Sequence, residues 1–415
     1  MARVRAYINP FIPAGSAYAG WQEVTKHMLT NGLGSLSRRL DISDFDIGVF
    51  TTSSIGIELI NSGGDYSDVD AIGSIFFFKR ADSKFRLTWD PADQDYVAGF
   101  ARSDDVLHHE FTLFEGVLSD EATVMQMRSQ TINFDVLGYE AILDRALIDV
   151  TWGGSLPSDY KASTLLKRAL AMAAAASSVA VLTIDNGQIN PSNDVTFDSI
   201  DSFTNQTVRE AVNTILTASN SVLRMSGTTP VVSGRTAGAT SVKTFYGPAS
   251  LLGPENILDL QDVSSGLNRT FNVVTWTDSA NPPTVNLSSI DTDSQTKYGT
   301  RKKNVTLDGI TTTGTQQSVI DAIRTEFANP KQELTLVTAM APDSLVINLL
   351  DRVLIDFPLI PISPDPSLYG TAIYGVSEYA TEVSTFVIDT ASPFKVIGID
   401  LDARQNQVSL NLRRV

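Results

Sequence analysis

Three histidines and two groups of acids are the residues here whose types could carry chemistry. His108, His109 and Glu110 are consecutive, and His27 stands alone. Asp41, Asp44 and Asp46 fall within six positions, and Asp400 and Asp402 are two apart. Imidazole and carboxylate together are ordinary zinc ligands. Neighbouring residues on a strand, however, point to opposite faces. His108 and His109 are therefore expected to be solvated or to meet another chain, not to share a metal. Paired acids hydrolyse glycosides when they face each other across a cleft. Spaced as they are here, they are expected at a solvated strand edge or turn. With no cysteine in the chain, disulfides, thiolate metal sites and a cysteine nucleophile drop out. No phosphate loop, no dinucleotide-binding glycine pattern and no Gly-x-Ser-x-Gly elbow is present. Trp21, Trp89, Trp152 and Trp276 are too scattered for a sugar-stacking platform and are expected in cores or contacts. The expectation is a chain that is not an enzyme, without catalytic, cofactor or metal residues.

The elements that would position any site read as mainly β with α+β parts. Phe85, Leu87 and Trp89 alternate with Lys84, Arg86 and Thr88, and Ile132, Phe134 and Val136 alternate with Asn133 and Asp135. Such alternation puts one face inward and one outward. Phe76-Phe77-Phe78 and Val353-Leu354-Ile355 are apolar on both faces and should be covered on both. The middle changes period. A helix is expected from about Asp159, with Leu165, Leu166, Ala169, Leu170 and Ala173 on its inner face. A second begins at Thr207, which with Glu210 forms a capping-box pattern, and a hairpin spans 222–233. A third helix, over 313–329, has Thr313 and Gln316 spaced for another capping box and ends at Asn329-Pro330. Prolines 358, 361, 364 and 366 make 357–369 an extended loop.

These signals divide the chain into an N-terminal arm (1–36), a first β domain (37–150), a small α+β domain (151–240) and a second β domain (241–415). The phrase Asn133-Phe134-Asp135-Val136-Leu137-Gly138 is loosely repeated as Asn304-Val305-Thr306-Leu307-Asp308-Gly309, which suggests a duplicated β domain. The balance of 31 basic against 47 acidic residues gives a net charge of −16. Nucleic-acid affinity rests largely on Lys and Arg displacing counterions, so specific DNA binding is excluded, while DNA passing without sticking is compatible. The longest apolar stretch, 169–184, is shorter than the roughly 20 residues of a spanning helix. No signal peptide is visible after Met1, so the expectation is a soluble chain without an export signal of its own.

Several phrases together resemble the tail hub proteins of long-tailed bacteriophages. They are Ser37-Arg38-Arg39-Leu40-Asp41-Ile42, Ile75-Phe76-Phe77-Phe78-Lys79-Arg80 and Phe114-Glu115-Gly116-Val117-Leu118-Ser119-Asp120. In the second half they are Leu267-Asn268-Arg269-Thr270-Phe271, Ser294-Gln295-Thr296-Lys297-Tyr298-Gly299 and Val396-Ile397-Gly398-Ile399-Asp400-Leu401-Asp402. The resemblance implies two tail-tube-like β-barrel or sandwich domains with a small α+β domain. It also implies a structural virion protein at the tail tip or baseplate, assembled in the host cytoplasm as a homotrimer around a DNA exit channel. The implied partners are a distal tail or tail-tube ring protein, the tape measure protein and a central tip fibre or spike, with DNA only passing through. Some relatives carry a fused cell-wall hydrolase, and this chain stops at Val415 after a strand-like segment, so penetration is expected to belong to other chains. Residues 1–36 match the pattern poorly and are expected to reach onto a neighbour. A distal-tail adaptor or receptor-binding adhesin is the alternative from the same particle, and a carboxylate-based glycan hydrolase the alternative from another class.

Overall fold

The computed structural model describes residues 3–12, 17–18, 20–39, 50, 52–66, 75, 83–90, 111–119, 124–126, 130–154, 156–176, 182–236, 238–248, 250, 252–277, 285–357 and 393–415. The first half supplies strands β1 (Arg3–Asn9), β2 (Phe11–Ile12), β3 (Ala17–Tyr18), β4 (Gln22–Glu23), β5 (Met28–Leu33), β6 (Leu36–Arg39), β7 (Ser54–Ile60), β8 (Lys84–Asp90), β9 (Phe111–Leu118), β10 (Val124–Gln126) and β11 (Thr131–Gly138). A 3-10 helix (Tyr139–Asp144) leads to helices α1 (Ala162–Ala176) and α2 (Val208–Ala218) and the hairpin β12 (Ser221–Ser226) and β13 (Thr229–Gly234). Then come β14 (Ser241–Tyr246), β15 (Asp259–Ser264), β16 (Val273–Thr277), β17 (Val285–Ile290), α3 (Thr292–Tyr298), β18 (Lys302–Val305) and α4 (Thr313–Phe327). The chain closes with β19 (Glu333–Ala339), α5 (Pro342–Leu345), β20 (Arg352–Asp356), β21 (Pro393–Asp402) and β22 (Gln407–Arg414).

Fifteen strands form one sheet, along β15-β19-β22-β21-β6-β7-β11-β9-β8-β1-β4, with β10 on β11, β5 on β7, β20 on β21 and β14 on β20. The fold is mainly β with α+β parts. Early strands and late strands meet at one antiparallel seam, where β6 pairs with β21 from Leu36↔Leu401 to Arg39↔Gly398. The alternation seen in sequence sets the faces: Phe85, Leu87, Trp89, Ile132, Phe134 and Val136 are all buried. They share one hydrophobic core with Phe245, Val353, Ile355, Phe394 and Leu410 from the late strands. Val353 and Ile355 thus fill the chain's own core. Phe76-Phe77-Phe78 and the loop 358–369 lie outside the described residues.

A second core holds the helices. Leu165, Leu166, Ala169, Leu170 and Ala173 of α1 pack with Val208, Ala211, Val212, Ile215 and Leu216 of α2. The same core takes Phe271, Val274 and Trp276, and Val319, Ile320, Ile323 and Phe327 of α4. Residues 267–328 thus enter the chain between β15 and β19 yet pack with the helices. Their strands make a separate sheet, β17-β16-β18.

This separation corrects the repeat. Asn133–Gly138 lies in β11, between β7 and β9 in antiparallel ladders. Asn304 and Val305 end β18, which runs parallel to β16 in the small sheet, and Gly309 follows in a turn. The two phrases share a face period but not a place in the fold. Residues 1–36 also differ from the expected arm. All seven residues of β1 pair with β8, from Arg3↔Asp90 to Asn9↔Lys84, and Ala6, Ile8, Val24, Leu33 and Leu36 are buried. Val4, Ala6 and Ile8 alternate with Arg5 and Tyr7, a strand signal partly hidden by the prolines and glycines that follow.

Helix ends show where local code suffices. At α2 the capping box forms: Glu210 N donates to Thr207 Oγ1 at 3.2 Å, and Thr207 N donates to Glu210 Oε2 at 2.8 Å. At α4 it does not. Gln316 Nε2 donates instead to the Ile310 carbonyl at 3.0 Å. The turn leading into α4 is held by Asp198, whose carboxylate accepts from Thr311 N (2.6 Å), Thr312 N (2.8 Å) and both threonine hydroxyls (3.0 and 2.6 Å). Those bonds, led by the Thr312 hydroxyl, hold Asp198 down at about 2. Asp198→Ala is expected to lower stability by about 1 kcal/mol, the size of hydrogen bonds lost at a solvent-screened carboxylate. Because the folded carboxyl is more acidic than the unfolded one, this contribution is present above its ordinary value near 3.8 and lost as pH falls through about 2. Urea denaturation of both proteins at pH 7 and pH 2.5 checks it. No helix among the described residues is long and apolar enough to cross a membrane.

Candidate functional site

The residues first suspected of chemistry have structural partners where they are described. Asp400 Oδ2 accepts from Asn411 Nδ2 at 3.0 Å and pairs with Arg39 at 3.4 Å. Asp402 Oδ1 accepts from the backbone of Arg404 (2.9 Å) and Gln405 (3.1 Å), closing the turn into β22. His27 Nδ1 lies 2.5 Å from the Tyr66 hydroxyl. Burial and the neighbouring Asp65 push that phenol up to about 12. Asp41, Asp44, Asp46, His108, His109 and Glu110 lie outside the described residues. Among the described residues no group of three or more His, Cys, Asp or Glu is arranged to hold a metal ion. Trp89, Trp152 and Trp276 are buried, and Trp21 carries the Arg86 guanidinium over its ring at 4.2 Å. These are core and contact roles.

The side chains that do converge surround a cavity of about 340 Å³ where the early strands, late strands and helical part meet. Arg38 and Arg39 enter from β6, Phe114 and Glu115 from β9, and Tyr139 and Glu140 from the 3-10 helix. Residues 223–227 close one wall from the hairpin, and Leu345, Leu349 and Ile399 another from the late part of the chain. Local sequence explains the turn that places Glu140. Its apolar neighbours Tyr139, Ala141, Ile142 and Leu143 are buried, which leaves Glu140 turned toward the sheet. There Ser53 Oγ donates to its Oε2 at 3.2 Å. Arg209 of α2 fixes the same turn by donating to Asp144 Oδ1 (2.6 Å), Thr52 Oγ1 (2.6 Å) and the Glu140 carbonyl (2.8 Å).

The cavity walls are charged. Burial pushes the Glu140 carboxyl up, against the pull of Arg38, Ser53 and Arg209. Burial likewise pulls the Arg38 guanidinium down, with Glu140 opposing it. The surface these two retain faces the cavity. Arg38 Nη2 donates to the Leu113 carbonyl. Glu115 accepts from Arg86 at 3.3 Å and from the Tyr139 hydroxyl at 3.1 Å. The arrangement offers polar recognition in a partly enclosed space.

A second charged cluster ties the helical part to the late strands. Lys395 of β21 is buried and donates to Glu326 Oε1 of α4 and to the Arg235 carbonyl, each at 2.8 Å. Lys331 stands 3.6 Å from the same carboxylate. Glu333 stands 3.6 Å from both Arg269 and Arg413, and the Arg413 guanidinium lies 5.0 Å over the Phe327 ring. Arg38, Glu115, Glu140, Arg209, Arg224, Glu326 and Lys395 were not singled out from sequence. Two carried a local signal: Glu140 is a lone acid in Tyr139-Glu140-Ala141-Ile142-Leu143, and Lys395 a lone base in Phe394-Lys395-Val396-Ile397.

No protein-family model and no curated protein matches the sequence. Solved structures do match in fold. The tail protein from Neisseria meningitidis MC58 is 14% identical, with 99% of this chain and 96% of that one covered at a TM-score of 0.53. The 43 kDa tail protein of prophage MuSo2 from Shewanella oneidensis is 12% identical, with 99% and 98% covered at the same TM-score. Identity this low speaks to fold alone, and the likeness runs the whole length of each chain. The fold is that of phage tail proteins.

Proposed function

We propose that this chain is a structural virion protein of a phage tail tip or baseplate, the hub that joins a six-fold tail tube to three-fold tip components. The observation that carries this reading is the end-to-end fold likeness to two phage tail proteins, with early and late β strands joined at the β6–β21 seam. The sheet-forming strands of residues 1–150, β1 included, and those of 241–415 act as the two ring-building units. Three copies then offer six positions to a hexameric ring while keeping three-fold symmetry below. The chain assembles in the host cytoplasm as a homotrimer. It contacts a distal tail or tail-tube ring protein on one side, and the tape measure protein and a central fibre or spike on the other. The net charge of −16 suits a channel wall that DNA passes without being held. The chain works by assembly and catalyses no reaction.

Cryo-electron microscopy of intact tails tests this directly. The expected result is three copies in a ring at the tail tip, with a lumen lacking a continuous Lys/Arg stripe. Six equivalent copies, one copy, or a lumen paved with basic side chains would each sink the hub. A peripheral position would favour a receptor-binding adhesin. Turnover of peptidoglycan by the purified protein, abolished by changing Asp400, would overturn the non-enzymatic part.

A further inference from the structure

The cavity where the three parts meet has a charge balance that assembly into a ring does not explain. Its acids already have partners: Arg86 and Tyr139 for Glu115, Ser53 and nearby Arg38 for Glu140. Arg39 has Asp400 at 3.4 Å. Arg224, projecting from β12 into the cavity wall, makes no side-chain hydrogen bond or ion pair among the described residues, and its Nε is shielded from solvent without an acceptor. Six other arginines share such an Nε, so what sets Arg224 apart is a guanidinium in a cavity wall with no hydrogen bond or ion pair among the described residues. Three arginines against two glutamates leave the lining with one net positive charge. The remaining wall includes Phe114, Met225, Leu345 and Leu349. At about 340 Å³ the space lies at the small end of ligand pockets.

We propose that this cavity binds a monoanionic carboxylate carried on a small apolar body, with Arg224 as its counter-ion. One unanswered cation selects one negative charge. A dianion such as phosphate would meet Glu115 and Glu140 across the same space, whereas a single carboxylate can take the arginine fork and leave its apolar part against Phe114 and Leu349. Two sources fit this chemistry: a free amino-acid-sized organic acid, or the carboxyl terminus of another protein chain ending in an apolar residue. The reading stands independently of the hub assignment, because every lining residue it uses belongs to one chain.

The test is titration calorimetry on the full chain with N-acetyl-leucine and N-acetyl-leucinamide, and with one leucine-ending peptide as its free acid and as its amide. The acids are expected to bind saturably and the amides at least about tenfold more weakly, since a charge-assisted bond is lost. Arg224→Met keeps the apolar stem and is expected to remove the preference for acid over amide while leaving the thermal unfolding temperature unchanged. Tighter binding of the peptide acid than of N-acetyl-leucine assigns the site to a partner's chain end, and the reverse assigns it to a free acid. Acid and amide binding alike, or no saturation by about 20 mM, overturns the proposal. So does a large drop in unfolding temperature on Arg224→Met, because it would show that Arg224 already has an internal partner.

Discussion

Glu326→Gln is expected to destabilise the protein by about 3–5 kcal/mol at pH 7, the cost of removing one member of a buried ion pair. Glutamine keeps the shape, so the loss is of charge. Burial acts to raise the Glu326 carboxyl, but Lys395 and Lys331 outweigh it and hold the group below its ordinary value. A folded carboxyl more acidic than the unfolded one stabilises above the unfolded value near 4.5, and that stabilisation is lost as pH falls through the folded value. The deficit of the variant should therefore be full at pH 7 and shrink in acid. Its partner titrates at the other end of the scale. Burial pulls Lys395 down to about 8, with Glu326 restoring only part. The unfolded chain therefore binds that proton more tightly between about 8 and 10.5, and stability should rise with pH across that window, a slope absent in Lys395→Met. Urea denaturation from pH 3 to 10.5 reads both effects. A deficit for Glu326→Gln under about 1 kcal/mol at pH 7 would show that the pair behaves as a surface contact.

Gly266→Ala should cost about 2–5 kcal/mol, a left-handed backbone plus an overpacked contact. Gly266 has φ +70°, and a Cβ there would run into the Lys331 carbonyl, standing 2.8 Å from its carbon. Gly299, at φ +75° with open space where a methyl group would stand, provides the comparison. Gly299→Ala should cost about 1–3 kcal/mol, the strain of a backbone at φ 75° and ψ 170° that is essentially reserved for glycine. Denaturant midpoints for the two variants separate the effects, and equal losses would remove the steric argument. Lys331 also lies beside Glu326, so Gly266→Ala and Glu326→Gln share a partner. Their double variant should lose less than the sum of the single losses.

Much of the local structure was legible in the chain itself. Alternation named the buried faces of β8 and β11, the 3.6-residue period named the core face of α1, and Thr207 with Glu210 marked the start of α2. Each rests on residues a few positions apart, where geometry leaves little choice. Zero cysteines and the acidic balance also stood on composition alone. Partner choice was different. The Thr313–Gln316 spacing matched a capping box as well as Thr207–Glu210 did, yet the turn into α4 is held by Asp198, 114 positions from Thr312. The phrases Asn133–Gly138 and Asn304–Gly309 share a period that fixes which side chains face inward, but a period does not say which strand lies alongside. Only the folded chain brought Arg38, Glu140 and Arg224 around one cavity and Lys395 against Glu326. A charged residue's burial and partners depend on elements far away in sequence, and those become neighbours only when β6 finds β21.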